Sequence, residues 1–232
     1  MVTPAIFHEP TGCFTANLNA YRHNPIISFG EQVCVKRPVP AKQRITLGLG
    51  GGCHWCTEAI FSSINGIQDV QQGWLASYPP DDAYSEGVLV KIDTAIIRLK
   101  DVINIHIETH SADANHSKRD KYRSAIYVQN EDDNSSALDI ISQINATRYK
   151  PVITRVMALN RFQLQAEESY LDYYYKEPEK PFCQAYINPK LNKLLALHSK
   201  LIAKDKLAII TKSVATPEID TGEQPGSDRS HS

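Results

Sequence analysis

Three consecutive glycines, Gly50, Gly51 and Gly52, separate an apolar run at residues 45–49 from Cys53-His54-Trp55-Cys56-Thr57-Glu58. The run predicts a buried strand over 45–50. The glycines let the backbone turn sharply and pass close to a small ligand. Helical spacing starts at Cys53: Cys56, Ile60 and Ile64 recur at i, i+4 and i+8, with Phe61 beside them. The predicted unit is therefore strand, tight turn and helix, with a thiol at the first helical turn. Unpaired N–H groups and the helix dipole favour an anion there, so Cys53 is the candidate reactive thiolate. Local features alone leave other readings open. A cysteine also serves as a small buried hydrophobe, and Cys53-x-x-Cys56 fits a redox pair or half of a zinc site. Zinc needs two further well-spaced ligands, which this chain does not offer, so no metal site is predicted.

The rest of the chain organises around that turn. Residues 1–43 carry five prolines and no sustained periodicity and read as an N-terminal extension that includes Cys13 and Cys34. After the helix, Asn65-Gly66 is a stop signal. Strands are predicted over 67–76, 87–93, 122–128 and 151–159. Helices are predicted over 96–108, 135–147, 165–175 and 189–204. Residues 77–85 and 110–121 read as loops, and residues 206–232 as a disordered tail. The order β-α-β-β-α-β-α-β suits an α+β fold, a ferredoxin-like two-layer sandwich with a mainly antiparallel sheet and helices on one face, formed by residues 44–205.

Composition narrows the function classes. A formal net charge of −1 gives no electrostatic case for nucleic acid or an anionic membrane. No apolar run reaches membrane-spanning length, and the first ten residues lack a secretory pattern. Five unevenly spread cysteines do not resemble a disulfide framework, which points to a reducing, cytoplasmic compartment. A monomer is the favoured oligomeric expectation.

Several motifs, taken in order, resemble the A-type peptide methionine sulfoxide reductases. Gly-Gly-Cys53-His54-Trp55-Cys56-Thr57-Glu58 is close to the family's Gly-Cys-Phe-Trp-(Gly or Cys)-x-Glu. Glu86 and the segment to Asp93 resemble its His-Ala-Glu strand, and His110 resembles the start of its His-Asp-Pro-Thr loop. Lys121-Tyr122-Arg123-Ser124-Ala125-Ile126 resembles Gln-Tyr-Arg-Ser-Ala-Ile, and Ala166-Glu167-Glu168 resembles a late Ala-Glu-Asp. Pro181-Phe182-Cys183, with Ile187-Asn188-Pro189-Lys190-Leu191 after it, resembles the C-terminal region of one branch. The departures are His54 for phenylalanine, His-Ser-Ala-Asp for His-Asp-Pro-Thr, Gly73-Trp74 for Gly-Tyr and Ser169-Tyr170-Leu171 for Tyr-His-Gln.

The resemblance implies a thiolate that attacks the sulfur of methionine-S-sulfoxide, free or peptide-bound. Methionine leaves, and the sulfenic acid condenses with a second thiol to a disulfide. No bound cofactor is implied; thioredoxin or another dithiol is the reductant. In these roles Cys53 is the nucleophile, Glu86 the acid that protonates the sulfoxide oxygen and Tyr122 a hydrogen-bond donor to that oxygen. Trp55 walls an apolar site for the S-methyl group, His54 either assists proton transfer or marks a changed substrate, and Tyr84 or Tyr78 is the second active-site tyrosine. Cys183, in a Pro-rich segment expected to swing, is the preferred resolving thiol; Cys56, one helical turn from Cys53, is its rival. Two other functions stay open: a turnover-impaired methionyl-peptide binding or regulatory protein, and a C-x-x-C thiol-disulfide oxidoreductase.

Overall fold

The computed structural model describes residues 44–215. Expectations for residues 1–43, Cys13 and Cys34 among them, and for residues 216–232 lie outside the described residues.

The apolar run forms β1 (Arg44–Gly50), which sits near the middle of a six-stranded sheet of order β5-β4-β1-β3-β2-β6. Its neighbours are β3 (Ser85–Asp93) and β4 (Ala125–Val128), both antiparallel to it. Outside them lie β2 (Ile67–Ala76) and β5 (Arg155–Ala158), with β6 (Arg161–Leu164) at the edge beyond β2. The inner four strands, in the order β4-β1-β3-β2, with α1 (His54–Phe61) and α2 (Leu99–Thr109) as crossovers, form the ferredoxin-like β-α-β-β-α-β unit. Among the described residues the one parallel pair is β4 with β5, joined by the crossover helix α3 (Glu131–Ala146).

Alternation of side chains divides the sheet into two faces. Ile45, Leu47 and Leu49 of β1 and Val88, Val90 and Ile92 of β3 point to the main core. There they meet Ala59, Ile60 and Phe61 of α1 and Val102, Ile103 and Ile105 of α2. The other face holds a smaller cluster of Leu75, Ala125, Tyr127 and Met157. A Cβ on Gly48 would lie 2.8 Å from Leu75 Cδ2 and 2.9 Å from Tyr127 Cβ, so the bare backbone of β1 admits that cluster.

The predicted strand 122–128 begins three residues late, because the Tyr122 N–H bonds the Lys118 carbonyl in a turn. The predicted helix 135–147 begins at Glu131 instead: Asn130 caps it by accepting from the Asp133 N–H at 2.9 Å, and three acidic residues follow at its positive end. The predicted helix 165–175 is replaced by the end of the β6 region, a 3₁₀ turn (Glu168–Tyr170) and the short α4 (Tyr173–Lys176). The predicted helix 189–204 divides into α5 (Asn188–His198) and a 3₁₀ turn (Ser199–Leu201). A last helix, α6 (Lys204–Ala215), occupies the start of the expected tail. Ile210 and Ser213 on it are buried, and the Ser213 carbonyl accepts from Asn188 Nδ2. The described helices therefore continue past 205.

Candidate active site

Cys53 is the residue immediately before α1, with extended backbone, and its carbonyl accepts the first helical bonds from Cys56 and Thr57. Its thiol is partly exposed and its pKa is held below the ordinary thiol value. The largest cause is a hydrogen bond from the Cys56 thiol; the N–H groups of Trp55 and Cys56 add to it, while burial and the Glu86 carboxylate oppose it. Cys56 is pushed the other way, upward, by that same hydrogen bond, by burial and by the neighbouring Cys53 charge. The two shifts run in opposite directions, so the contact favours Cys53 as the thiolate of the pair. The Tyr186 carbonyl, 3.8 Å from the Cys56 thiol, competes with Cys53 for its one proton.

The glycine turn fixes where Cys53 points. A Cβ on Gly51 would stand 2.5 Å from His110 Cδ2, whereas one on Gly52 would meet nothing within 4 Å. Gly51 therefore packs against a ring, and Gly52 borders open space at the mouth of the site. His110 is locked beneath the turn by the His106 carbonyl at Nδ1 and by Ser124 Oγ, 2.8 Å from Nε2. Ser124 in turn meets Thr154 Oγ1 at 2.8 Å. Arg119 bonds the carbonyls of Gly51, Ser111, Ala114 and Tyr122, which ties the 110–121 loop to the turn.

Glu86, near the start of β3, is buried beside this thiol. Its Oε1 lies 3.1 Å from Lys121 Nζ, and its Oε2 lies 3.9 Å from His54 Nδ1. Lys121 also reaches Tyr122, whose ring centroid is 5.2 Å from Nζ, so the ammonium links the expected acid and the expected tyrosine. His54 is buried against the edge of Trp74, and its Nδ1 has no hydrogen-bond partner. Burial holds His54 below the ordinary histidine pKa, against the raising effect of Glu86 and the Gly73 carbonyl.

Trp55 faces the other side of α1. It stacks on Tyr173 with centroids 4.1 Å apart and planes 3° apart, and meets Phe182 edge-on and Tyr170 at a tilt. The expected apolar wall is therefore an aromatic cluster rather than one ring. Glu58 anchors it: its carboxylate accepts the backbone N–H groups of Asp172 at 2.9 Å and Tyr173 at 3.2 Å. Asp172 sits in the left-handed region (φ 51°), a conformation held by these bonds. Gln72 adds a bond from Nε2 to the Tyr170 carbonyl at 2.7 Å.

Of the residues expected at the site, Cys53, Cys56, His54 and Glu86 come together, and Tyr122 joins them through Lys121. Tyr84 and Tyr78 are exposed, and Tyr84 carries Arg161 over its ring at 5.1 Å. Neither is joined by a hydrogen bond or ring contact to Cys53 or Glu86 among the described residues. The flexible segment expected around Cys183 is instead helical: Cys183 opens a π-helical turn (Cys183–Ile187) that runs into α5. Cys183 is wholly buried, bonds the Glu177 carbonyl at 3.6 Å and has a thiol pKa pushed up to about 11 by burial. Core packing of Ile187 and Leu191 draws that segment inward. Sequence reasoning missed Lys121, Glu58, Gln72 and Tyr173. Lys121 had a signal, since it stands where the resembled motif has glutamine; the others act on backbone or rings more than 90 residues away.

A family model described as peptide methionine sulfoxide reductase matches residues 45–201. The peptide methionine sulfoxide reductase MsrA of Psychrobacter sp. is 32% identical over 176 residues, 68% of this chain and 99% of that protein. The MsrA of Trichodesmium erythraeum is 32% identical over 165 residues, 64% of this chain and 93% of that protein. Among solved structures, reduced Mxr1 of Saccharomyces cerevisiae aligns with TM-score 0.52 at 21% identity, covering 62% of this chain and 91% of that one. Methionine sulfoxide reductase A of Corynebacterium diphtheriae aligns with TM-score 0.50 at 20% identity, covering 58% and 76%. The structural likeness establishes the fold. With a family match that spans most of the described residues and a glycine turn that presents a cysteine at a helix start, the chain belongs to the peptide methionine sulfoxide reductase family.

Proposed function

We propose that this protein reduces methionine-S-sulfoxide, in peptides or free, to methionine at Cys53. The observation that carries the reading is the placement of Cys53: it ends the glycine turn, its carbonyl opens α1, its thiol pKa is lowered by its neighbours at the helix start, and Glu86 lies beside it. In the first half-reaction E–S⁻, the sulfoxide and one proton give E–S–OH and methionine. The Cys53 sulfur is oxidised by two electrons and the methionine sulfur is reduced by two. Glu86 delivers the proton to the departing oxygen, and Tyr122 hydrogen-bonds that oxygen. The aromatic cluster around Trp55 suits the S-methyl group, since thioether sulfur and its methyl pack well against ring edges.

In the second half-reaction Cys56 attacks the sulfenic sulfur and water leaves, which joins Cys53 to Cys56. Position supports Cys56 over Cys183. Cys56 lies one helical turn from Cys53 at a helix start, whereas Cys183 sits in a π-helical turn with its thiol on the Glu177 carbonyl. A dithiol such as thioredoxin then reduces the bond in a reducing, cytoplasmic setting. No described helix is long and apolar enough to cross a membrane.

The test is turnover with dithiothreitol on separated S and R epimers of a methionine sulfoxide peptide. The reading predicts methionine from the S epimer alone, abolished by Cys53→Ser. No methionine from either epimer, free or peptide-bound, overturns it.

A further inference from the structure

Two departures from the resembled motifs, His54 and Lys121, flank the same carboxylate. Glu86 Oε1 is paired with the Lys121 ammonium at 3.1 Å, and Glu86 Oε2 faces His54 Nδ1 at 3.9 Å. Lys121 is exposed to solvent at its tip, while the His54 and Glu86 side chains are only 8% and 10% exposed. A buried imidazole nitrogen without a hydrogen-bond partner is costly. It is retained here aimed at the one carboxylate the reaction needs. Two rings flank it: Trp74 lies edge-on at 5.7 Å and Trp55 is tilted at 6.2 Å. The charged and titratable groups that face the imidazole are Glu86 from β3 and Lys121 from the 110–121 loop, with the preceding Cys53 beside Glu86.

The pairing with Lys121 has a geometric consequence. Lys121 engages Oε1 and leaves Oε2 facing His54 Nδ1. A carboxyl group that hands a proton to the sulfoxide oxygen must be reloaded, and a neighbour that exchanges protons with it can do so. Lys121 is unsuited, because its ammonium is held above the ordinary lysine pKa by Glu86 and Tyr122 and gives up its proton reluctantly. The imidazole is suited: its Nδ1 faces Oε2, and burial holds His54 below the ordinary histidine value, so its protonated form gives up the proton readily.

We propose that His54 is a positioning and proton-relay residue for Glu86, storing the proton that Glu86 passes to the sulfoxide oxygen while Lys121 balances the carboxylate charge. The step is a proton transfer from His54 Nδ1 to Glu86 Oε2 and from the carboxyl to the oxygen. The covalent step stays as above: one S–O bond forms at Cys53, the methionine S–O bond breaks, and the relayed proton ends on the sulfenic oxygen. The proton released when the Cys53 thiol ionises in the next cycle restores the balance. A short motion closes the 3.9 Å gap to hydrogen-bond distance when substrate enters.

This inference rests on the reductase reading, and its test separates the two. The first arm follows His54 by NMR titration in the wild-type protein and in Glu86→Gln, with no substrate present. A relay partner loses the carboxylate that favours its protonated form, so the His54 midpoint falls in Glu86→Gln; an unmoved midpoint overturns the proposal. The second arm measures the single-turnover rate of methionine formation against pH in wild type, His54→Phe and His54→Gln. The wild-type rate falls as pH rises through the His54 midpoint. Both variants lose that limb and slow by roughly tenfold or more, as expected for a lost proton carrier. Added imidazole restores part of the rate in His54→Gly. Variants with wild-type rate and profile overturn the proposal even where wild type turns over normally. Should wild type form no methionine, the reductase reading fails, and the NMR arm still decides whether His54 and Glu86 are coupled.

Discussion

Replacing Gly51 by alanine tests how the glycine turn is held, and Gly52→Ala beside it is the internal control. At Gly51 the new methyl would lie 2.5 Å from His110 Cδ2 and 2.8 Å from Cγ and Nε2. The ring cannot simply step aside. Its Nδ1 is bonded to the His106 carbonyl and its Nε2 to Ser124 Oγ, which is itself bonded to Thr154. Breaking two such bonds costs about 2 kcal/mol, and overpacking adds about 1 kcal/mol or more, for a total of about 3 kcal/mol or more. For a domain of this size a loss of about 3 kcal/mol lowers Tm by roughly 6–12 °C. At Gly52 a Cβ meets nothing within 4 Å, and the expected change is within about 0.5 kcal/mol. Urea midpoints and thermal melts of the three proteins, with the single-turnover rate at Cys53, make the comparison. The reasoning predicts a destabilised, slowed Gly51→Ala and a stable Gly52→Ala. Equal midpoints for the two variants would refute it, as would a Gly51→Ala that is unchanged; truncating the ring in Gly51→Ala/His110→Ala should recover part of the loss.

Three further outcomes follow from the same geometry. Cys56→Ala should release one methionine per chain and then stall in dithiol-limited cycling, with slower alkylation of Cys53 by iodoacetamide because its largest thiolate-stabilising contact is gone, while Cys183→Ser keeps cycling. Glu58→Gln retains one acceptor oxygen for the two N–H groups of Asp172 and Tyr173 and should cost about 1–3 kcal/mol in urea unfolding, with reduced quenching of Trp55 fluorescence as Tyr173 loosens. Burial lowers His110 to about 4, and it lowers the wholly buried His106 as well. Both are bases with depressed folded pKa values, so the unfolded chain binds more protons, and stability is full above the unfolded value near 6.5 and is lost as pH falls toward 4. His110 alone accounts for at most about 3 kcal/mol of that loss. In His110→Gln the fall in urea midpoint across this window should shrink.

The strand, glycine turn and thiol were legible because each is a local property: β-period apolar residues, backbone freedom, and helical spacing after Cys53. The order of elements gave the β-α-β-β-α-β unit, and β2 matched its predicted span of 67–76 in full. The region after β5 was less legible, for physical reasons. Residues 161–164 form β6 through backbone bonds to β2, and only Phe162 and Leu164 signal it. Tyr173 and Phe182 look like ordinary core residues until they meet Trp55, and the 170s stretch is shaped by a carboxylate 114 residues away rather than by its own propensity. The prolines around Cys183 predict a mobile segment, whereas the apolar residues that follow it fold the segment into the core. Thiol identity could be narrowed from sequence, but which thiol touches Cys53 depends on burial.

The most direct measurement mixes the fully reduced protein with one equivalent of a methionine-S-sulfoxide peptide, without added reductant. Methionine and free thiols are then counted, and the protein is mapped by mass spectrometry. The account predicts one methionine formed and two thiols lost per chain, joined as a Cys53–Cys56 disulfide, with Cys183 still free. No methionine, methionine without loss of thiols beyond Cys53, or a bond from Cys53 to Cys183 would contradict it.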